Sequence, residues 1–254
     1  MKNLYLLCVL LWFTGITYAQ SFAGLKSGIA LPGMVGSTEN ASGYVSRLKW
    51  NGGLSFYKHL KDEWGLQAEV NYAPQQAIRQ GMQQLTDPQY DKLSVPGGTF
   101  LYANYRHTLS FNFVEIPLLA KFSIGEKLRY SFLAGPHIAV LLKSKSQVCG
   151  NSDIYRNAAG TELYLPAGEP LTNELLNSDQ NTTGNYKKIT FGAQGGLELS
   201  YPLRGGVIFA ETRTIVGLSN LNKKHITEEK LYTGAFTFCV GYNFKITRSF
   251  LQKN

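Results

Sequence analysis

From Phe236 to Ile246 the chain reads FTFCVGYNFKI, and its residues alternate without a break between two chemical classes. Phe236, Phe238, Val240, Tyr242, Phe244 and Ile246 are apolar, while Thr237, Cys239, Gly241, Asn243 and Lys245 are small or polar. A period of two belongs to a β-strand, because successive side chains leave a strand on opposite faces. Whatever fold forms must give this strand one fully apolar surface and one small or polar surface.

Seven earlier segments carry the same signature. GLKSGIALP sets Leu25, Ile29 and Leu31 against Lys26, Gly28 and Ala30; LKWNGGLSFYK sets Trp50, Leu54 and Phe56 against Asn51, Gly53 and Ser55. WGLQAEVNYA opposes Trp64, Leu66, Ala68, Val70 and Tyr72 to Gly65, Gln67, Glu69 and Asn71. In FNFVEIPLLAKF the outer set is Val114, Ile116, Leu118, Ala120 and Phe122; Phe111 and Phe113 have the wrong parity, which predicts a bulge or a strand rising above the apolar zone. LRYSFLAGPHIAVLL contains Pro136, which cannot donate to a ladder and predicts a second bulge. ITFGAQGGLELSY alternates cleanly, whereas VIFAETRTIVGL places Glu211 and Arg213 beside Phe209 and Ile215.

The connections alternate too. Those at 33–46, 75–108, 143–186 and 220–230 are long and polar; those at 59–63, 123–127 and 202–206 are short. Such asymmetry between the two ends is the pattern of an up-and-down barrel with one rim outside the cell and the other in the periplasm. A soluble barrel would turn its apolar faces inward and its polar faces to water. Here the polar faces are rich in Gly, Ala and Ser, which suit a crowded lumen. The apolar faces carry Trp50, Trp64, Tyr72, Tyr130, Tyr201 and Tyr242 near strand ends, where aromatic girdles form. The expected fold is therefore all-β: an eight-stranded antiparallel up-and-down transmembrane β-barrel with long extracellular loops and short periplasmic turns.

Composition agrees. Charged residues make up 17% and aromatic residues 13%, and beyond the N-terminus no apolar run is long enough for a transmembrane helix. The first nineteen residues, MKNLYLLCVLLWFTGITYA, have the layout of a secretory signal peptide, with cleavage expected after Ala19 and residues 20–254 forming the barrel domain. Removal of Lys2 lowers the net charge of +8 by one. The remaining positive charge is scattered, and an exported chain with no basic cluster is not expected to bind nucleic acid.

Eight strands enclose a space that side chains can just fill. Lys26, Glu69, Glu115, Lys121, Arg129, His137, Glu198, Glu211, Arg213 and Lys245 fall on inward positions with both signs represented, so a lumen plugged by mutual ion pairs is expected. His59, His107, His137 and His225 show no metal-ligand spacing, and Cys149 and Cys239 are too few for a disulfide framework. No nucleophile motif or phosphate loop is present, so neither an enzyme activity nor a cofactor is expected.

The segment FNFVEIPLLAKF resembles the signature of the PorT-like outer-membrane β-barrel proteins of Bacteroidetes, also described as porin family or outer-membrane β-barrel domain proteins. GLKSGIAL before it and FLAGPHIAVLL, ITFGAQGGLEL, ETRTIVGLSNL and FCVGYNF after it stand in the same order, so the resemblance spans residues 22 to 246. It implies an outer-membrane barrel of a Gram-negative bacterium, with a role outside catalysis: structural, binding, or accessory to secretion or assembly. The name-giving protein is linked to type IX secretion. The alternative is an outer-membrane enzyme or a transporter of small apolar ligands acting through the outer loops. Gly241, Phe244 and Ile246 occupy the places of a terminal assembly signal, although the chain continues past Phe244 to KITRSFLQKN. Expected partners are outer-membrane lipid, the barrel-assembly machinery, and secretion-system or surface proteins reached by the outer loops.

Overall fold

The computed structural model describes residues 20–36, 45–85, 100–223 and 230–246. The expected signal peptide and His225 lie outside the described residues. Eight long strands form the fold: β1 (Ser21–Gly36), β3 (Lys49–Lys61), β4 (Trp64–Gln84), β5 (Tyr102–Ile124), β6 (Arg129–Cys149), β10 (Ile189–Leu203), β11 (Gly206–Gly217) and β12 (Leu231–Ile246). Each pairs antiparallel with its neighbours in the chain, and β12 returns to β1 over the register Ser21↔Ile246 to Gly36↔Leu231. Closure leaves these strands without a free edge, so their backbone donors and acceptors are satisfied within the ring. No described helix is long and apolar enough to cross a membrane; crossing by strands is a separate matter.

The alternating faces lie as the inverted pattern requires. Leu25, Trp50, Leu54, Trp64, Ile116, Phe132, Phe191, Leu197, Phe238 and Val240 are exposed on the outside of the ring, while Asn51, Ser55, Gln67, Glu69, Glu115, Glu198 and Thr237 are buried inside it. The outward hydroxyl of Ser27 accepts a hydrogen bond from Nε1 of Trp50 at 2.8 Å, which supplies a partner to a group that lipid could not satisfy. The three short turns each hold one residue at positive φ, namely Asp62, Gly125 and Gly205, as tight reversals between antiparallel strands require.

Two expectations need correction. No register shift occurs at Pro136, where β6 keeps continuous pairing with β10. A register shift does occur in the β5–β6 ladder between Asn112 and Phe113, where the parity of Phe111 and Phe113 predicts a bulge, and Leu142 of β6 is the extra residue. Phe111 and Phe113 keep the inward parity of Glu115, and both are fully buried. The connections at 75–108 and 143–186, expected as long polar links, are also partly strand. About ten tilted residues cross a bilayer, so β4 with 21 residues, β5 with 23 and β6 with 21 continue well beyond it on the outer side.

The connection at 143–186 is folded. It contributes the end of β6, the short strands β7 (Ile154–Tyr155) and β8 (Leu163–Leu165), helix α1 (Pro170–Leu176), β9 (Asn177–Asn181) and a 3₁₀ turn at Thr183–Asn185. β7 pairs with β5 and β9 with β6, and β2 (Val45–Ser46) adds to β4, so the barrel wall extends outward on one side.

Candidate functional site

The interior is crossed at mid-height by a cluster of four charged side chains. Lys26 from β1 donates to Glu69 Oε2 at 2.7 Å and to Glu211 Oε1 at 2.8 Å. Arg213 from β11 clasps Glu69 with two parallel bonds, Nη1 to Oε2 at 2.8 Å and Nη2 to Oε1 at 2.6 Å, and reaches Glu211 at 2.5 Å. In the ring order β1-β3-β4-β5-β6-β10-β11-β12, strands β4 and β11 stand opposite one another. The Arg213–Glu69 contact therefore spans the lumen. Gln67 and Asn71 donate further bonds to Glu69, at 2.5 and 2.9 Å, so its two oxygens are thoroughly occupied.

A second pair lies nearer the periplasmic end, where Lys121 meets Glu198 at 2.6 Å. Glu115 makes no ion pair among those described; it accepts a bond from Gln194 Nε2 at 3.1 Å. A cavity of about 20 Å³ between Glu115, Gln194, Arg213 and Lys26 has room for a single water. His137 is buried inside the barrel, and its Nδ1 has no hydrogen-bond partner among the described residues. Arg129 and Lys245 are exposed at the periplasmic rim, away from the central cluster. The ten inward positions singled out from the sequence are thus divided: four in the central cluster, two in the lower pair, two buried apart from both, and two at the mouth.

Above the charged layer the lumen is closed by apolar packing. Phe111 and Phe113 of β5, Ala139 and Leu141 of β6, and Leu221 from the β11–β12 connection form one cluster, flanked by Met34, Ala73, Leu109, Tyr186 and Leu231. Phe111 meets Tyr186 edge-on at 4.8 Å. Alternation alone does not announce this layer, because a lumen expected to be small and polar gives no reason to place phenylalanines inside it. The wrong parity of Phe111 and Phe113 was the available signal.

The outer extension has its own apolar centre. Leu85, Leu101, Ala103, Tyr105 and Val148 of the strand ends pack with Ile154, Leu175 and Leu176 of the 143–186 connection. On its surface Lys145 and Gln147 each donate to Asp179 at 3.1 Å, and these bonds hold the Asp179 carboxyl below the usual carboxylate range. His107 lies on β5 within this extension rather than on a loop, and its Nε2 is 2.8 Å from Ser146 Oγ. Among the described residues no group of three His, Cys, Asp or Glu side chains is placed to hold a metal ion.

Gly241, Phe244 and Ile246 divide between the two faces. Phe244 and Ile246 are exposed outward, whereas Gly241 faces inward beneath the ring of Phe209. A Cβ on Gly241 would lie 2.4 Å from that ring and 2.5 Å from the Leu25 carbonyl oxygen. Exchange of Gly241 for Val is expected to destabilise the barrel by about 1–3 kcal/mol through overpacking, read as a lower urea midpoint for the folded form in vesicles.

A closed antiparallel ring with an apolar exterior and a polar, ion-paired interior defines a transmembrane β-barrel. The chain belongs to the outer membrane protein beta-barrel domain family, which matches residues 17–223. The protein resides in the outer membrane of a Gram-negative bacterium. No curated protein matches it. Among solved structures it is similar to Ail, the attachment invasion locus protein of Yersinia pestis, at 11% identity and a TM-score of 0.37, covering 90% of this chain and 100% of that one. The outer membrane protease OmpT of Escherichia coli gives 10% identity, a TM-score of 0.46, and coverage of 92% and 100%. Neisserial surface protein A gives 11%, 0.41, 88% and 97%. At these identities the likeness concerns the barrel fold alone.

Proposed function

We propose that this protein is a non-enzymatic barrel of the PorT-like kind, which uses a plugged lumen as a rigid mount for its outer extension and serves binding, secretion or assembly through that extension. The observation that carries the reading is the folded structure of the outer side. A barrel needing only to span the membrane would stop its strands near the bilayer surface. Here β4, β5 and β6 continue outward and are packed by Leu175, Leu176 and Ile154 into a surface with its own core. Surface segments held on a rigid scaffold are where recognition residues are found.

The interior supports the same reading from the other direction. Two successive layers, one ionic and one apolar, cross the lumen with space for about one water beside them. Proteoliposomes containing the protein are expected to swell no faster in sugar solutions than empty liposomes; rapid passage of sugars would refute the plug.

Replacement of residues 154–176 by a short Gly-Ser linker tests the role itself. The expected outcome is a barrel that still reaches the outer membrane, in cells that lose partner capture by cross-linking or export of secreted cargo. Unchanged capture and export, or a hydrolase activity of whole cells that vanishes with the segment, would overturn the proposal. The terminal residues Gly241, Phe244 and Ile246 are proposed to engage the barrel-assembly machinery.

A further inference from the structure

Side chains do not fill the lumen all the way to the periplasm. Below the Lys121–Glu198 pair lies a cavity of about 300 Å³, open between the short turns and bounded by both ends of the barrel sequence, from Gln20 to Lys245. That volume is at the lower end of the range found for small-molecule sites. Its walls combine two chemistries. Phe22 and Tyr57 form an aromatic pair with ring centroids 5.9 Å apart. Lys121, Arg129 and Lys245 supply positive charge, and Ser123, Ser200 and Asn243 supply neutral polar groups.

The charges are not equivalent. Lys121 is buried, lies 4.8 Å above the Tyr57 ring and is committed to Glu198 at 2.6 Å. Arg129 and Lys245 have no ion-pair partner among the described residues. Among the described residues no Asp or Glu lines the cavity; Asp62, Glu63 and Glu126 are exposed on the turns outside it. A concave, partly apolar wall carrying uncompensated cations focuses a positive potential into the cavity. The aromatic wall is held in place, since Tyr57 lies directly over Gly65, where a Cβ would come within 2.3 Å of the ring.

We propose that this vestibule binds a small organic anion from the periplasmic side. Arg129 and Lys245 hold a phosphate or carboxylate group, and an apolar or aromatic portion lies against Phe22 and Tyr57. Arginine suits the task because its planar guanidinium can give two parallel bonds to either group. A phosphate could come from a free solute or from a phospholipid headgroup of the inner leaflet. The site stands independently of any role for the outer extension.

Phenyl phosphate serves as the probe, titrated calorimetrically into the full barrel in phosphatidylcholine nanodiscs. Saturable single-site binding is expected, with inorganic phosphate about tenfold weaker or more because it lacks the ring, and benzyl alcohol giving no saturation. The double exchange Arg129→Ala with Lys245→Ala is expected to weaken phenyl phosphate about tenfold or more. Both residues sit at the rim, so the double variant should keep its heat-modifiable migration on gels. Lys143→Ala, on the outer side, should bind as the parent does. Repetition in phosphatidylglycerol nanodiscs separates the sources: loss of probe affinity in the parent but not in the double variant assigns a lipid headgroup, and unchanged affinity assigns a solute. Absence of saturable binding, or equal binding by the parent and the double variant, overturns the proposal.

Discussion

Exchange of Arg213 for Met is expected to lower the stability of the folded barrel by about 3–5 kcal/mol, the loss typical of removing one partner from a buried ion network. Arg213 is almost fully buried and makes three bonds to Glu69 and Glu211. Without it two buried carboxylates are left with Lys26 as their shared cation. The loss reflects stranded charge more than forfeited attraction, and a control separates the two. Combined exchange of Lys26 and Arg213 for Met and of Glu69 and Glu211 for Leu removes every charge of the cluster while keeping bulk. Its stability is expected to exceed that of the single variant, because apolar replacement spares the desolvation of four ions, and to stay below the parent, because Gln67 and Asn71 lose Glu69 as their acceptor. Denaturant unfolding in lipid vesicles, followed by tryptophan fluorescence, measures both. A single variant within about 0.5 kcal/mol of the parent, the range of ordinary surface substitutions, would show that the cluster does not hold the lumen together.

Exchange of Val240 for Arg is expected to cost about 2–4 kcal/mol and to reduce insertion sharply, as a cation on the lipid face near the bilayer midplane does. Val240 is 52% exposed on the outside of β12, midway along the apolar row from Phe236 to Ile246. Its register partners Ser27 and Ala210 belong to the two flanking strands, so no short route leads an arginine to water. Exchange of Asn243 for Asp is the matched comparison. Asn243 faces inward, accepts a bond from Ser55 Oγ at 2.8 Å and lines the open, positively charged vestibule. A carboxylate there retains the acceptor and gains nearby cations, so a loss below about 1 kcal/mol is expected. Fractionation of cells into inner and outer membranes, with heat-modifiability as the measure of folding, compares the two. Equal tolerance of both would reverse the assignment of lipid and lumen faces.

The same two substitutions mark what was legible in the sequence. Val240 and Asn243 fall on opposite faces by parity alone, and the period of two carried this for all eight long strands. A local pattern misleads where the partner strand decides the outcome. Pro136 was expected to force a bulge because it lacks a donor, yet the β6–β10 ladder runs through it in register. Leu142, which no sequence rule singles out, is the residue the β5–β6 ladder skips. The 143–186 connection reads as long and polar, although Ile154, Leu175 and Leu176 fold it onto the strand ends. Those three residues are too sparse to show periodicity; only the neighbouring apolar strand ends give them something to bury against.

Inward polarity was likewise visible, but the identity of each partner was not. Lys26, Glu69, Glu211 and Arg213 could be named as inward charges from alternation, as could Arg129 and Lys245. Their separation into a central cluster and an exposed rim depends on height along the barrel axis, which follows from strand stagger. By itself the sequence determined which face each strand turns to lipid, because side-chain alternation is a property of the extended backbone. The tertiary structure alone decided that Arg213 meets Glu69 across the lumen and that Phe111 and Phe113 seal the space above them. Those contacts join strands on opposite sides of the ring, and they exist only once closure between β1 and β12 has fixed the diameter and the register.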